Sequence, residues 1–361
     1  MKKKNSYIEL LRFLMCIVIL IHHSGFVQDE DIVMMFPFGA LAADFFFMVT
    51  GYFAYAHLLG KEKSEVAGTN TMKYWMNYTV GKLKRVLPFA AVGIVSIYAL
   101  EFFWPREADP IIDRVLRLQN MPFELTLSPM LGVIPMTLYD LRNAPLWFLS
   151  AMFVALPLLM YLVSKYRDVF MHYVIWFLPP IAFCWMVTNY DGVCPWAQYS
   201  GIIYCGVIRA FADMMMGVSI YVAARALEKK LGEADITVKF PVTVCELALL
   251  ALIGYEMHRM LAPYDQILVL YLIAIMLVIA FSGASLTSMI NSRFINYLGK
   301  LSMPIYCMHW GVYQYVAKFL RRSLGYWGSV GVTFAICVVL SVLLMLIIDA
   351  VAKNIAAKKL A

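Results

Sequence analysis

The sequence predicts an all-α fold: a polytopic membrane helix bundle of about ten transmembrane helices with both termini in the cytoplasm. Three observations predict it. Of 361 residues, 62% are hydrophobic and 15% charged, against roughly 45–50% and 25% in soluble domains. Apolar windows of about 20 residues, the length that crosses a hydrocarbon core, recur from end to end and leave no polar block for a soluble domain. Basic residues are also distributed unevenly between alternate connections.

The windows lie near 6–26, 36–58, 86–104, 146–164, 171–188, 201–224, 240–257, 265–282, 302–320 and 329–352. The first follows MKKKNS directly, holds an arginine and lacks a clear small-residue cleavage site, so it reads as a retained helix and not a signal peptide. The second is flanked by glycine and proline before Asp44, and the third follows a basic cluster that ends at Arg85. The sixth and seventh carry Arg209 and Glu246 inside apolar sequence, and the ninth carries a proline before His309. One integral membrane domain is expected over residues 1–353, with a short basic cytoplasmic tail at 354–361.

With the N-terminus inside, the inner segments hold 20 Lys and Arg and the outer segments 8, the asymmetry that cytoplasmic loops produce. The net charge of +7 therefore needs no nucleic acid. It reflects topology and attraction to an anionic inner leaflet. The sizeable outer loop, Pro105 to Pro145, is expected either to hold an acceptor or to cover the bundle as an interfacial segment. The seven cysteines mostly occupy apolar runs, where a thiol acts as a small hydrophobe. Their spacing matches neither a disulfide framework nor a metal site.

Arg12 and His23 carry the strongest functional signal. An ionisable group in hydrocarbon costs several kcal/mol unless the protein compensates it, so two in one apolar segment mark a site. Eleven helical steps make three turns plus roughly 20°, which puts both side chains on one face about 16 Å apart. His22 points roughly 80° away from Arg12.

The remaining polar candidates admit two readings each. Asp44 either pairs with a cation or takes part in catalysis, and Thr50 with Gly51 suits close helix packing. Lys82, Lys84 and Arg85 either clamp phosphates or anchor the helix on the inner side. Arg209 and Asp213 are four apart, a spacing that lets them pair on one helix. His309 follows a proline that frees a backbone carbonyl. No phosphate-binding glycine loop, zinc-protease motif or nucleophile elbow occurs, so nucleotide-driven and hydrolytic chemistry have no support.

Five stretches in order resemble the membrane acyltransferase-3 family, the bacterial O-acyltransferases that modify surface polysaccharides. Arg12 to His23 is similar to its Arg-x10-His signature. Asp44-Phe45-Phe46-Phe47-Met48-Val49-Thr50-Gly51-Tyr52 is similar to its Asp-Phe-Phe-Phe block, with threonine for serine. Lys82-Leu83-Lys84-Arg85-Val86-Leu87-Pro88 is similar to its Arg-x-x-Arg-Ile-x-Pro block, with lysine for the first arginine. Leu146-Trp147-Phe148-Leu149-Ser150 resembles the Leu-Trp-x-Leu-Ser block, and Leu298-Gly299-Lys300-Leu301-Ser302 through Tyr306 to His309 resembles the late block. The glutamate that often follows Trp-x-Leu-Ser is replaced here by Ala151, Met152 and Phe153. Arg209 with Gly217 matches a further arginine stretch only loosely, and a stand-alone member without a C-terminal esterase-like domain is expected.

The resemblance implies an acyl-CoA donor, most often acetyl-CoA, and a hydroxyl on a glycan as acceptor, in a multi-pass protein of the bacterial cytoplasmic membrane. It implies His23 as general base or acyl carrier and Arg12, Lys82 and Arg85 toward the donor. Asp44 would orient His23 if the two touch, and Thr50, Trp147, Ser150, Arg209 and His309 are secondary candidates. No metal is expected. The rival class is a transporter or flippase of a polar or lipid-linked substrate. It would be favoured by an inverted repeat with matching broken helices, and no convincing similarity between the halves is seen.

Overall fold

The computed structural model describes residues 5–24, 35–61, 71–104, 110–132 and 141–360. The basic start at residues 2–4, residues 62–70 and parts of the outer loop, 105–109 and 133–140, lie outside the described residues. In chain order the helices are α1 Ser6–Ser24, α2 Ala42–Lys61, α3 Thr71–Phe103, α4 Ile111–Arg117, α5 Met121–Leu125, α6 Trp147–Lys165, α7 Arg167–Val169, α8 Ile175–Tyr190, α9 Cys205–Leu231, α10 Ile236–His258, α11 Pro263–Ser282, α12 Arg293–Val312 and α13 Lys318–Leu360. The strands β1 Tyr199–Ser200 and β2 Ile203–Tyr204 form one two-residue antiparallel ladder. The protein is an all-α polytopic helix bundle.

Among the described residues nine helices are long and apolar enough to cross a membrane. The bilayer requires this form, because helices satisfy their own backbone hydrogen bonds where no water can. Several boundaries differ from the sequence expectation, among them those of α3 and α12. α3 begins at Thr71 and not near 86, because its first turns, Thr71 to Arg85, are too polar to register in an apolar window. The window read near 302–320 resolves into α12, which begins at Arg293, followed by a π turn at Tyr313–Ala317.

The apolar window catches only the second half of α12, yet α1 fixes the depth of the whole helix. Three contacts share the offset of 286 residues: Ser6 Oγ accepts from the Ser292 N–H, the Cys16 thiol donates to the Ser302 carbonyl, and His23 meets His309. The two helices therefore run parallel and in register along the whole of α1. The face of α12 that carries Gly299, Ser302 and His309 is turned into the protein against α1, while Arg293 and Lys300 stay exposed.

α2 and α9 also run side by side, and two glycines let them approach. A Cβ at Gly51 would fall on the backbone of Met214, and one at Gly217 on the Met48 carbonyl and the Tyr52 nitrogen. Small residues permit such backbone contact in membranes, where dispersion and not hydrophobic burial drives association. Gly217→Ala is expected to cost about 1–3 kcal/mol through overpacking, read as a lower thermal midpoint in detergent. An unchanged midpoint would contradict the close approach.

The described part of the outer loop is tied down. Glu101 accepts from Arg117 at 2.8 Å and Arg142 at 2.9 Å. Glu124 accepts from the Tyr98 hydroxyl and from the backbone N–H groups of Arg142 and Asn143. Burial pushes the Glu124 carboxyl above the usual range, and these donors oppose that rise. α4 leaves Ile111, Ile112, Val115 and Leu116 exposed. Such a face suits a segment lying against the lipid interface.

Candidate active site

Two polar clusters occupy the two ends of α1, and the first is a histidine pair. His23 Nδ1 lies 2.7 Å from His309 Nε2, and the rings stack with centroids 5.0 Å apart. His309 Nδ1 lies 2.6 Å from the Tyr306 carbonyl oxygen. A carbonyl only accepts, so in the neutral pair Nδ1 of His309 carries the proton and its Nε2 holds a lone pair. That lone pair accepts from the Nδ1–H of His23. The proton of His23 is thus fixed on Nδ1, and its Nε2 is the basic atom.

Neighbours hold the pair in place. His22 Nδ1 donates to the Phe36 carbonyl at 2.8 Å, and Trp310 sets its edge against His23 with centroids 5.4 Å apart. The Tyr306 hydroxyl donates to the Pro145 carbonyl. Asn143 Nδ2 donates at 3.0 Å to the carbonyl of Cys307, two residues before His309. The outer loop is thereby fastened to the turn of α12 that carries the histidine.

The second cluster lies three helical turns away. Arg12 pairs with Glu9 at 3.0 Å, three residues back on the same helix. Glu9 fits because α12 presents Gly299 to it; a Cβ there would collide with the Glu9 side chain. Lys82 sits over the Tyr78 ring at 5.4 Å and within electrostatic reach of Arg85 and Arg12. The structure therefore brings together the three basic residues that the sequence assigned to the donor.

At a level between the clusters lies a small apolar cleft, lined by Ile19, Phe46, Phe148, Met303 and Tyr306 among others. Ile19 is one turn below His23 and Tyr306 one turn below His309. The cleft thus lies about one turn from the histidine pair, on the side on which Arg12 lies.

Asp44 goes elsewhere. Its two oxygens accept from Nε and Nη2 of Arg209 at 2.6 and 2.5 Å, and Arg209 Nη2 also donates to the Ala40 carbonyl. Neither the orienting contact to His23 nor the pairing of Arg209 with Asp213 along α9 is the one the structure makes. Asp213 lies beside Asp44, and neither of its oxygens has a hydrogen-bond donor. The indole of Trp147 stacks under the Arg209 guanidinium at 5.6 Å, a cation–π contact that strengthens when desolvated. Thr50 Oγ1 faces the Met152 sulfur, and Ser150 Oγ accepts from the Met130 N–H. These two side chains pack and pin the bundle.

Three residues escaped the sequence reading. Glu9 had a signal, the i, i+3 spacing to Arg12. Tyr306 stood inside the late block without an assigned role and Asn143 had no signal, because their roles arise from contacts across more than a hundred residues.

The described residues thus form a polytopic bundle with a hydrogen-bonded imidazole pair at one end of α1 and a group of cations at the other. A family model described as an acyltransferase domain, Acyl_transf_3, matches residues 5–346. The chain belongs to this acyltransferase family and is a membrane enzyme that transfers acyl groups. No curated protein and no solved structure matches it.

Proposed function

We propose that the protein is an O-acyltransferase of the bacterial cytoplasmic membrane that moves an acyl group, acetyl in the simplest case, from cytoplasmic acyl-CoA to a hydroxyl of a cell-surface or exported glycan. The observation that carries this reading is the arrangement along α1: cations at one end, the His23–His309 pair at the other, and the cleft between them. Both termini lie inside in this reading, so Arg12, Lys82 and Arg85 face the cytoplasm and hold the donor's phosphates through charge-assisted hydrogen bonds. The thin pantetheine arm follows the cleft and brings the thioester to His23.

Nε2 of His23 takes the proton of the acceptor hydroxyl as its oxygen attacks the thioester carbonyl. The tetrahedral adduct collapses, the carbon–sulfur bond breaks, and the leaving thiolate recovers the proton from the imidazolium. His309 holds the ring in the reactive tautomer, the role a carboxylate fills in a serine hydrolase triad. The Asp44–Arg209 pair locks α2 to α9 beside the site and does not touch the reacting atoms.

The test is incubation of purified protein in bilayers with acetyl-labelled acetyl-CoA and a hydroxyl acceptor. Appearance of free CoA together with labelled ester supports transfer. Movement of a polar substrate without release of CoA would support the transporter class instead. Arg12→Ala is expected to raise the KM for acetyl-CoA by about tenfold, the equivalent of one charge-assisted bond, with a smaller effect on kcat. An unchanged KM would remove Arg12 from the donor site.

A further inference from the structure

Glu246 lies inside an apolar run and takes no part in the transfer chemistry. α10 turns most of its surface outward, with Val244 and Leu247 exposed, yet Glu246 itself is fully buried. It sits where α10, the segment that follows α11 and the first turn of α1 converge. An ionised carboxylate in such a place is costly unless a cation meets it. Among the described residues no basic side chain pairs with it: its Oε2 accepts from Thr287 Oγ1 at 2.7 Å, and its Oε1 has no hydrogen-bond partner.

The surroundings are a set of oxygens. Ser285 Oγ lies 2.7 Å from Thr287 Oγ1 and within reach of the same carboxylate. The Leu286 N–H donates at 2.8 Å to Thr243 Oγ1, one turn before Glu246, which holds this segment over α10. Tyr7 of α1 stands within electrostatic reach of Glu246. It is 2% exposed, and its hydroxyl also lacks a partner. Asn5 fixes the turn that carries Tyr7: its side chain accepts from the N–H groups of Tyr7 and Ile8 and donates to the Ala280 carbonyl near the end of α11.

Two orphaned groups in one buried place call for a ligand. Protonation of Glu246 at Oε1 adds a donor that has no acceptor. A bridging water satisfies both oxygens and leaves the charge uncompensated. A cation does both, because it takes lone pairs from Oε1, from the Tyr7 phenol and from the Ser285 hydroxyl while it cancels the carboxylate. Such oxygens are the donors that hard cations prefer. One carboxylate balances one charge, so the ion is monovalent.

We infer that Glu246, Tyr7 and Ser285 form a binding site for a monovalent metal cation of the sodium class, with Thr287 orienting the carboxylate. The ion clamps the N-terminal end of α1 to α10. The same helix leads from Tyr7 to Glu9, Arg12 and His23, so the clamp helps to hold α1 in register.

The test is equilibrium binding of radioactive sodium to the full-length protein in phosphatidylcholine nanodiscs, together with the thermal midpoint as sodium chloride replaces choline chloride at constant ionic strength. The wild type is expected to bind a single sodium ion saturably and to melt higher in sodium, as mass action requires for an ion held only by the folded state. Tyr7→Phe should weaken sodium binding by at least about tenfold, the size of effect that loss of a supporting group has on metal affinity. Glu246→Gln should bind no sodium and melt at the same temperature in both salts, at or above the wild type in choline, because a neutral amide needs no counter-ion. If Glu246→Gln does not fold, Tyr7→Phe decides alone. Sodium affinity unchanged by Tyr7→Phe, or a sodium-dependent midpoint that persists in Glu246→Gln, overturns the assignment. Absence of saturable binding by the wild type also overturns it, and is the result expected of a neutral Glu246 bridged to Tyr7 by water. Calcium that raises the midpoint further than sodium at equal ionic strength overturns the monovalent class.

Discussion

His23→Ala is expected to lower kcat for acyl transfer by about 10²- to 10⁴-fold, the range a positioned general base supplies, with the KM for acyl-CoA unchanged. The base acts at one end of α1 and the cations at the other, so its loss removes proton transfer and leaves donor binding intact. His309→Phe should act through the same atom. Without an acceptor for its Nδ1 proton, His23 is free to carry the proton on Nε2 and present no lone pair to the substrate. The expected loss is smaller than for His23→Ala, because part of the population still holds the reactive tautomer. Steady-state kinetics in nanodiscs check both, and a folded His23→Ala protein with the wild-type rate would sink the role assigned to His23.

The largest stability effect is expected at Asp44. Arg209 is 1% exposed and Asp44 is fully buried, so Asp44→Ala takes the bidentate carboxylate from a buried guanidinium and leaves it the Ala40 carbonyl, the Cys194 thiol, the Trp147 ring and the more distant Asp213. Removing one partner of a buried pair costs about 3–5 kcal/mol, because the remaining charge stays desolvated. A strongly lowered thermal midpoint and poor recovery from the membrane follow. The double variant Asp44→Ala, Arg209→Met should recover much of the loss, since apolar replacement of both partners is often neutral. An Asp44→Ala protein as stable as the wild type would show that the pair is not what locks α2 to α9.

The bundle was legible because hydropathy responds to lipid-facing surface, and most helices present one. α12 shows where that signal fails. Its first half carries Arg293, Asn296 and Lys300, so the apolar window near 302–320 catches only its second half. The register with α1 that places it is a property of two distant segments. The same division holds at the site. Arg12 and His23 stood out because each is an ionisable group inside an apolar run, and Lys82 and Arg85 because they precede one. Asp44 was visible as a buried carboxylate, but its partner was not, since 165 residues separate it from Arg209. His309 was visible as a residue and invisible as a partner for the same reason. Within a helix, spacing constrains pairing; between helices only packing does.

The measurement that bears most directly on this account is nitrogen-15 NMR of the imidazoles in lipid bilayers, with His23 assigned by comparison with His23→Gln. His23 is expected to carry its proton on Nδ1, with Nε2 unprotonated, and His309→Phe to shift population toward the Nε2–H form. A wild-type His23 protonated on Nε2, or a tautomer that His309→Phe leaves unchanged, would contradict it.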